Sequence, residues 1–160
     1  MTTIPGTLDD GRPGPGVLPP GGQRRRMTLA GLPRPVAKAR AFTTRCLEDW
    51  AWPAGPDGVD EDRVEDVVLL VAELVSNAML HAGGPLELVL DASPARLRVE
   101  VSDGGSTLPS PRRPHEPSVP GGHGLFIVEH ASDRWGAERH ELGKTVWAEF
   151  DTVGGPGRQA

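Results

Sequence analysis

Glu73 and Asn77 stand four residues apart in an apolar run, Val64 to Ala82, that contains no Gly or Pro. At that spacing they are neighbours on one face of a helix. A carboxylate beside a carboxamide makes a poor metal cage, but it suits a site where a ligand brings most of the oxygens. The carboxylate can take a proton or orient a hydroxyl, and the amide oxygen can ligate a hard cation such as Mg²⁺. His81 lies one further turn along and is within reach of the same place. The bland alternatives stay open at this point: a solvated polar pair opposite a buried ridge, and a histidine answering the negative end of its helix. Two details favour a purpose for the pair. Leu69, Leu70 and Leu80 flank it, and Asn is a mediocre helix former.

Two downstream segments offer complementary chemistry. Leu97, Val99 and Val101 alternate with polar residues, so the period of two places Asp103 on their inward face. An inward carboxylate needs a donor, and the amino group of an adenine would serve. Gly104-Gly105 behind it lets a backbone or ligand come close. Asp-Gly is also an ordinary turn signal. Gly121-Gly122-His123-Gly124-Leu125 opens a helical stretch, and free N–H groups at a helix start suit phosphate. A hinge ahead of a helix is the other reading. Gly143-Lys144-Thr145 imitates the end of a P-loop, but the first glycine of that motif would fall on Glu138 and the segment enters a strand.

The elements that must hold these residues follow from periodicity. Pro35 can start a helix running through Val36, Ala39, Phe42, Cys46 and Leu47 to about Trp50. A loop, Pro53 to Asp60, precedes the second helix, whose buried side is expected to carry Val64, Val67, Val68, Val71, Val75, Ala78, Met79 and Ala82. Gly83-Gly84-Pro85 ends it. Leu86–Asp91 and Leu97–Asp103 read as a hairpin, 106 to 120 as a proline-rich loop, Gly124 to about Ser132 as a helix, and Trp135–His140 with Lys144–Phe150 as a closing strand pair. Hairpin strands mixed with helices imply an α+β two-layer sandwich rather than a βαβ repeat. Its sheet is expected to be mixed, mostly antiparallel, and covered on one face by helices.

Bulk composition narrows the function classes. The chain has 160 residues, enough for one domain with a core of its own, and a net charge of −5. The three consecutive arginines Arg24-Arg25-Arg26 are too short a run to argue for nucleic acid and read as part of a solvated tail. Residues 1–26, rich in Gly and Pro, are expected to be a disordered tail, 27–153 the folded domain, and 154–160 a second tail. The lone Cys46 excludes an internal disulfide and suits a small core residue. The five histidines show no metal-ligand spacing, and no nucleophile elbow is present. No signal-peptide or membrane-span pattern appears, so a cytoplasmic location is expected.

The order and spacing of the polar segments resemble the GHKL superfamily of ATPases and kinases over about residues 34 to 150. Glu73-x-x-x-Asn77-Ala-x-x-His81-Ala is similar to its N box, Asp103-x-Gly105 to its adenine box, and Gly121-Gly-x-Gly124-Leu125 to its second glycine box. Gly143-Lys-Thr145-Val-Trp147 is similar to the strand that closes the nucleotide pocket. The compact form resembles the anti-sigma-factor serine/threonine kinase branch, with the histidine-kinase-like ATPase fold. The resemblance implies ATP and Mg as cofactors. It implies Asn77 as the metal ligand, Glu73 as the catalytic base, and Asp103, Gly105, His81, Gly122, Gly124, Leu125 and Thr145 as nucleotide-binding residues, with 106–120 as the lid. The implied partners are a sigma factor or an anti-anti-sigma (STAS-type) protein, with room for a homodimer and without direct nucleic-acid binding. An ATP-dependent partner-binding switch with little or no phosphoryl transfer is the alternative. Thr107 stands where the fuller adenine box has a second glycine, and His123 stands where relatives often carry a basic residue.

Overall fold

The structure, a computed structural model, describes residues 18–55, 58–105 and 122–152. The elements run β1 (Gln23–Thr28), α1 (Pro35–Trp50), β2 (Ala54–Gly55), β3 (Gly58–Val59), α2 (Glu61–His81), β4 (Pro85–Ala92), β5 (Arg96–Asp103), α3 (Gly122–Ala131), β6 (Arg134–His140) and β7 (Gly143–Asp151). The main sheet has five strands in the order β1-β4-β5-β7-β6, and all its pairings are antiparallel. The expected α+β sandwich is therefore present, with a sheet that is wholly antiparallel among the described residues. The helices lie over one face, with α2 in the middle between α1 and α3 and resting on β5 and β4.

Residues from every layer meet in one core. Leu47 and Trp50 of α1, Val67, Leu70, Val71, Leu74 and Val75 of α2, and Val128 of α3 pack on Leu88, Leu90, Leu97, Val99, Val101, Ala148 and Phe150 of the sheet. The buried side of α2 is rotated from the expected one. Leu70 and Leu74 are inside, Val68 is half-buried, and Met79 is exposed. The apolar stripe of α2 is wide enough to leave two phases open, and the sheet beneath it selects one.

α2 is capped as its sequence allows. Asp60 accepts a hydrogen bond from the Arg63 N–H at 3.2 Å, and Glu61 and Asp62 face the positive end of the helix. At the other end the Gly84 N–H donates to the Ala78 carbonyl at 2.9 Å, and Gly83 and Gly84 take positive φ. This left-handed exit turns the chain straight into β4. Pro85 then pairs with Asp103, which sets the end of α2 beside the end of β5.

The expected tail through residue 26 is corrected. β1 occupies Gln23–Thr28 and adds an edge strand beside β4. Arg25 is turned inward and buried, where it binds Asp49 of α1 at 2.9 Å and lies over the Trp50 ring. Arg24 and Arg26 point the other way, toward Asp91 and Glu87. Three arginines in a row conceal the alternation of a strand because a paired guanidinium fills the inward position. The expected Pro53–Asp60 loop carries the short β2–β3 pair. The tail through residue 17, the 106–120 loop and the 154–160 tail lie outside the described residues.

Candidate functional site

The inward carboxylate is where strand alternation puts it. Asp103 ends β5 on the helix-covered face and is only 2 % exposed. Its Oδ1 accepts from the Gly105 N–H at 2.8 Å, the hydrogen bond of an Asx turn. The same oxygen accepts from Lys144 Nζ at 2.8 Å. Both partners are buried, with side-chain exposures of 3 % for Asp103 and 7 % for Lys144.

The strand register explains why Lys144 arrives here. Asp103 pairs with Lys144 and Ser102 with Thr145 across β5 and β7. Lys144, Val146, Ala148 and Phe150 therefore share the helix-covered face, and Thr145 and Trp147 share the open one. Close approach of the two strands requires Gly143, at φ 144°, because a Cβ there would sit 2.0 Å from the Asp103 carbonyl oxygen. Thr145, expected beside the nucleotide, turns to the open face, where His140 Nε2 lies 3.0 Å from its Oγ1. Lys144 is the residue of β7 that meets Asp103, and the motif gives it no role. The alternation of Val146, Ala148 and Phe150 carried the signal, since a period of two from Val146 leads back to Lys144.

Gly105 is tightly enclosed. A Cβ built on it would lie 2.9 Å from Ala82 Cβ, 3.0 Å from Lys144 Nζ and 3.2 Å from Asp103 Oδ1. The Asp103 turn thus presses against the exit of α2, the helix that carries the other candidates. Glu73 and Asn77 are half-buried on α2, and His81, in its last turn, is exposed. Leu69 and Leu80 on the same helix remain exposed. Leu70, expected to flank the pair, belongs to the core instead.

The glycine segment starts a helix as expected. α3 begins at Gly122, passes through Gly124 and Leu125, and packs along α2. The free amides of a helix start are donors of the kind that suits an anion, and here they lie on the neighbour of α2. Gly121 and Thr107 lie outside the described residues, and so do the rest of the expected lid positions.

Among the described residues no three His, Cys, Asp or Glu side chains cluster to hold a metal ion. Cys46 does not compete as a reactive group. Burial pushes its thiol up to about 11, against the opposing pull of Arg25, so at neutral pH it stays protonated. No described helix is long and apolar enough to cross a membrane.

No curated protein matches the chain. A family model does, over residues 29–150, and its description is histidine kinase-like ATPase domain. The span begins just after β1 and takes in every candidate site residue named above.

Proposed function

Since the chain belongs to the histidine kinase-like ATPase domain family, we propose that it is a Mg-ATP-binding regulatory protein that acts as a serine/threonine protein kinase and anti-sigma factor. Its substrate is a serine or threonine hydroxyl on an anti-anti-sigma (STAS-type) partner, and it also captures a sigma factor. The observation that supports this best is the buried Asp103 with Gly105 behind it, packed against the exit of the helix that carries Glu73 and Asn77.

Each residue has a separate task. Asp103 accepts a hydrogen bond from the purine amino group, and Gly105 allows the close packing of the turn behind that carboxylate. The amides at the start of α3, around Gly122 and Gly124, receive phosphate oxygens. Asn77 supplies an amide oxygen to Mg²⁺, which when bound neutralises phosphate charge. Glu73 accepts the proton of the attacking hydroxyl, as phosphoryl transfer depends mainly on positioning and charge stabilisation. His81, exposed at the helix end, is an outer contact.

Asn77→Ala tests the assignment. The variant is expected to lose ATP binding, read by titration calorimetry, and to lose transfer of labelled phosphate to a STAS-type partner. Labelling at the wild-type rate would remove Asn77 from the site. A second reading, an ATP-dependent partner-binding switch with little transfer, draws support from the Lys144 cover over Asp103, which makes base entry a conformational event. ATP binding by the wild type without labelling of any partner favours that reading.

A further inference from the structure

The carboxylate best placed to read a base already holds two donors on one of its oxygens. Asp103 Oδ1 holds two donors, the Gly105 N–H and Lys144 Nζ, each at 2.8 Å. Asp103 is 2 % exposed and Lys144 6 % exposed, so in this arrangement little of the carboxylate is open to an incoming group. A Cβ at Gly105 would meet Ala82, Lys144 and Asp103 together, so the spaces around the pair are filled on several sides.

We infer that Lys144 is an intramolecular competitor for the base site: its ammonium stands at Asp103 in place of a purine amino group, and nucleotide binds only as Nζ withdraws. The inference rests on the reading of Asp103 as the base-recognising carboxylate. The physical reason is an unequal exchange. Either donor makes a charge-assisted hydrogen bond to the carboxylate, but only the ammonium adds the attraction of a full opposite charge at close range. A neutral purine amine offers a weaker bond than the ammonium it displaces, and the displaced ammonium must find another acceptor. Lys144 therefore sets the affinity of the site and holds the nucleotide-free protein in a closed form.

Strand geometry makes this cover a fixed feature. Lys144 is directly opposite Asp103 in the β5–β7 register, and Gly143 locks that register by its contact with the Asp103 carbonyl. The flexible stem of a lysine can withdraw while the strands stay paired. The closed form thus opens without unfolding the sheet.

The experiment measures ATP and ADP affinity by calorimetry for the full chain as wild type, Lys144→Thr, Lys144→Gln and Lys144→Arg. Thr and Gln keep a neutral donor for Asp103, which protects folding, and thermal melts check it. Both are expected to bind ATP at least about tenfold more tightly than the wild type, the worth of about one net hydrogen bond. Lys144→Arg, which retains the cation, is expected to show no such gain. A purely structural contact gives no gain in affinity when removed. Unchanged or weaker binding by folded Thr and Gln variants overturns the inference, and if the wild type binds ATP the proposed function survives that result. Binding by the Thr or Gln variant where the wild type shows none supports both. Binding by none of the four overturns both.

Discussion

Strands β5 and β7 carry an ion pair on each face of the sheet. On the helix-covered face Lys144 meets Asp103 at 2.8 Å, and on the open face Arg98 meets Glu149 at 2.9 Å. The distances barely differ, but the surroundings do. Lys144 and Asp103 are almost fully enclosed. Glu149 is itself buried, but it is shared among Arg96, Arg98 and Arg134, whose side chains are partly exposed. The strand register extends this into a row across the whole sheet: Arg24, Asp91, Arg98, Glu149 and Arg134 stand side by side with alternating sign. Trp147 adds an indole beneath Arg98, 4.4 Å from the guanidinium carbon, and Gly136 leaves room for the ring. Removing either member of an enclosed pair leaves the other charge short of both partner and water. A shared row can lose a member and redistribute.

Asp103→Ala gives the sharpest break in the comparison, because it leaves the Lys144 ammonium buried and unpaired. Chemical denaturation is expected to show a loss of about 3–5 kcal/mol, the usual consequence of removing one partner of a buried pair. A loss below about 1 kcal/mol, the range of exposed pairs, would mean that the two faces do not differ in this way.

Acid titration gives an intermediate effect on the open face. Burial opposes the charge of Glu149, but hydrogen bonds from Arg134 and Arg98 outweigh it and hold the carboxyl below its usual 4.5. Arg134 also holds Asp151 below its usual 3.8. Carboxyls lowered by folding stabilise the protein above their unfolded values, and that contribution disappears as pH falls through the folded ones. Stability is therefore expected to decline as pH drops below the usual carboxylate range, and Glu149→Gln to flatten part of that slope. An identical slope in the variant would assign the acid sensitivity elsewhere.

Arg24→Ala is the smallest of the three. Arg24 and Asp91 are each nearly half exposed, so the expected change is about 0.5 kcal/mol or less and should vanish in high salt. A larger loss would mean that the row acts as one cooperative unit.

Much of the fold was legible in local pattern. Pro35, the Asp60 cap and the Gly83-Gly84 exit punctuate the helices, and alternation in 97–103 by itself puts Asp103 inward. β1 was hidden because its inward residue is an arginine, acceptable only where Asp49 and Trp50 of α1 receive it. The phase of α2 was hidden because its apolar stripe is broad. At the site, motif likeness points to Thr145, and Lys144 is the neighbour that meets Asp103. The two are adjacent in the chain, and only strand parity separates them.

By itself the sequence determined which residues could do chemistry and which elements hold them, since helix and strand periodicity are local properties of a few consecutive residues. Tertiary structure decided what each of those residues faces. Asp103 and Lys144 are 41 residues apart, and nothing within either segment specifies the other. Their meeting depends on the β5–β7 register, which the shared core and the close contact at Gly143 fix together. Whether a carboxylate is open to a ligand or covered by a lysine is therefore a property of the assembled sheet.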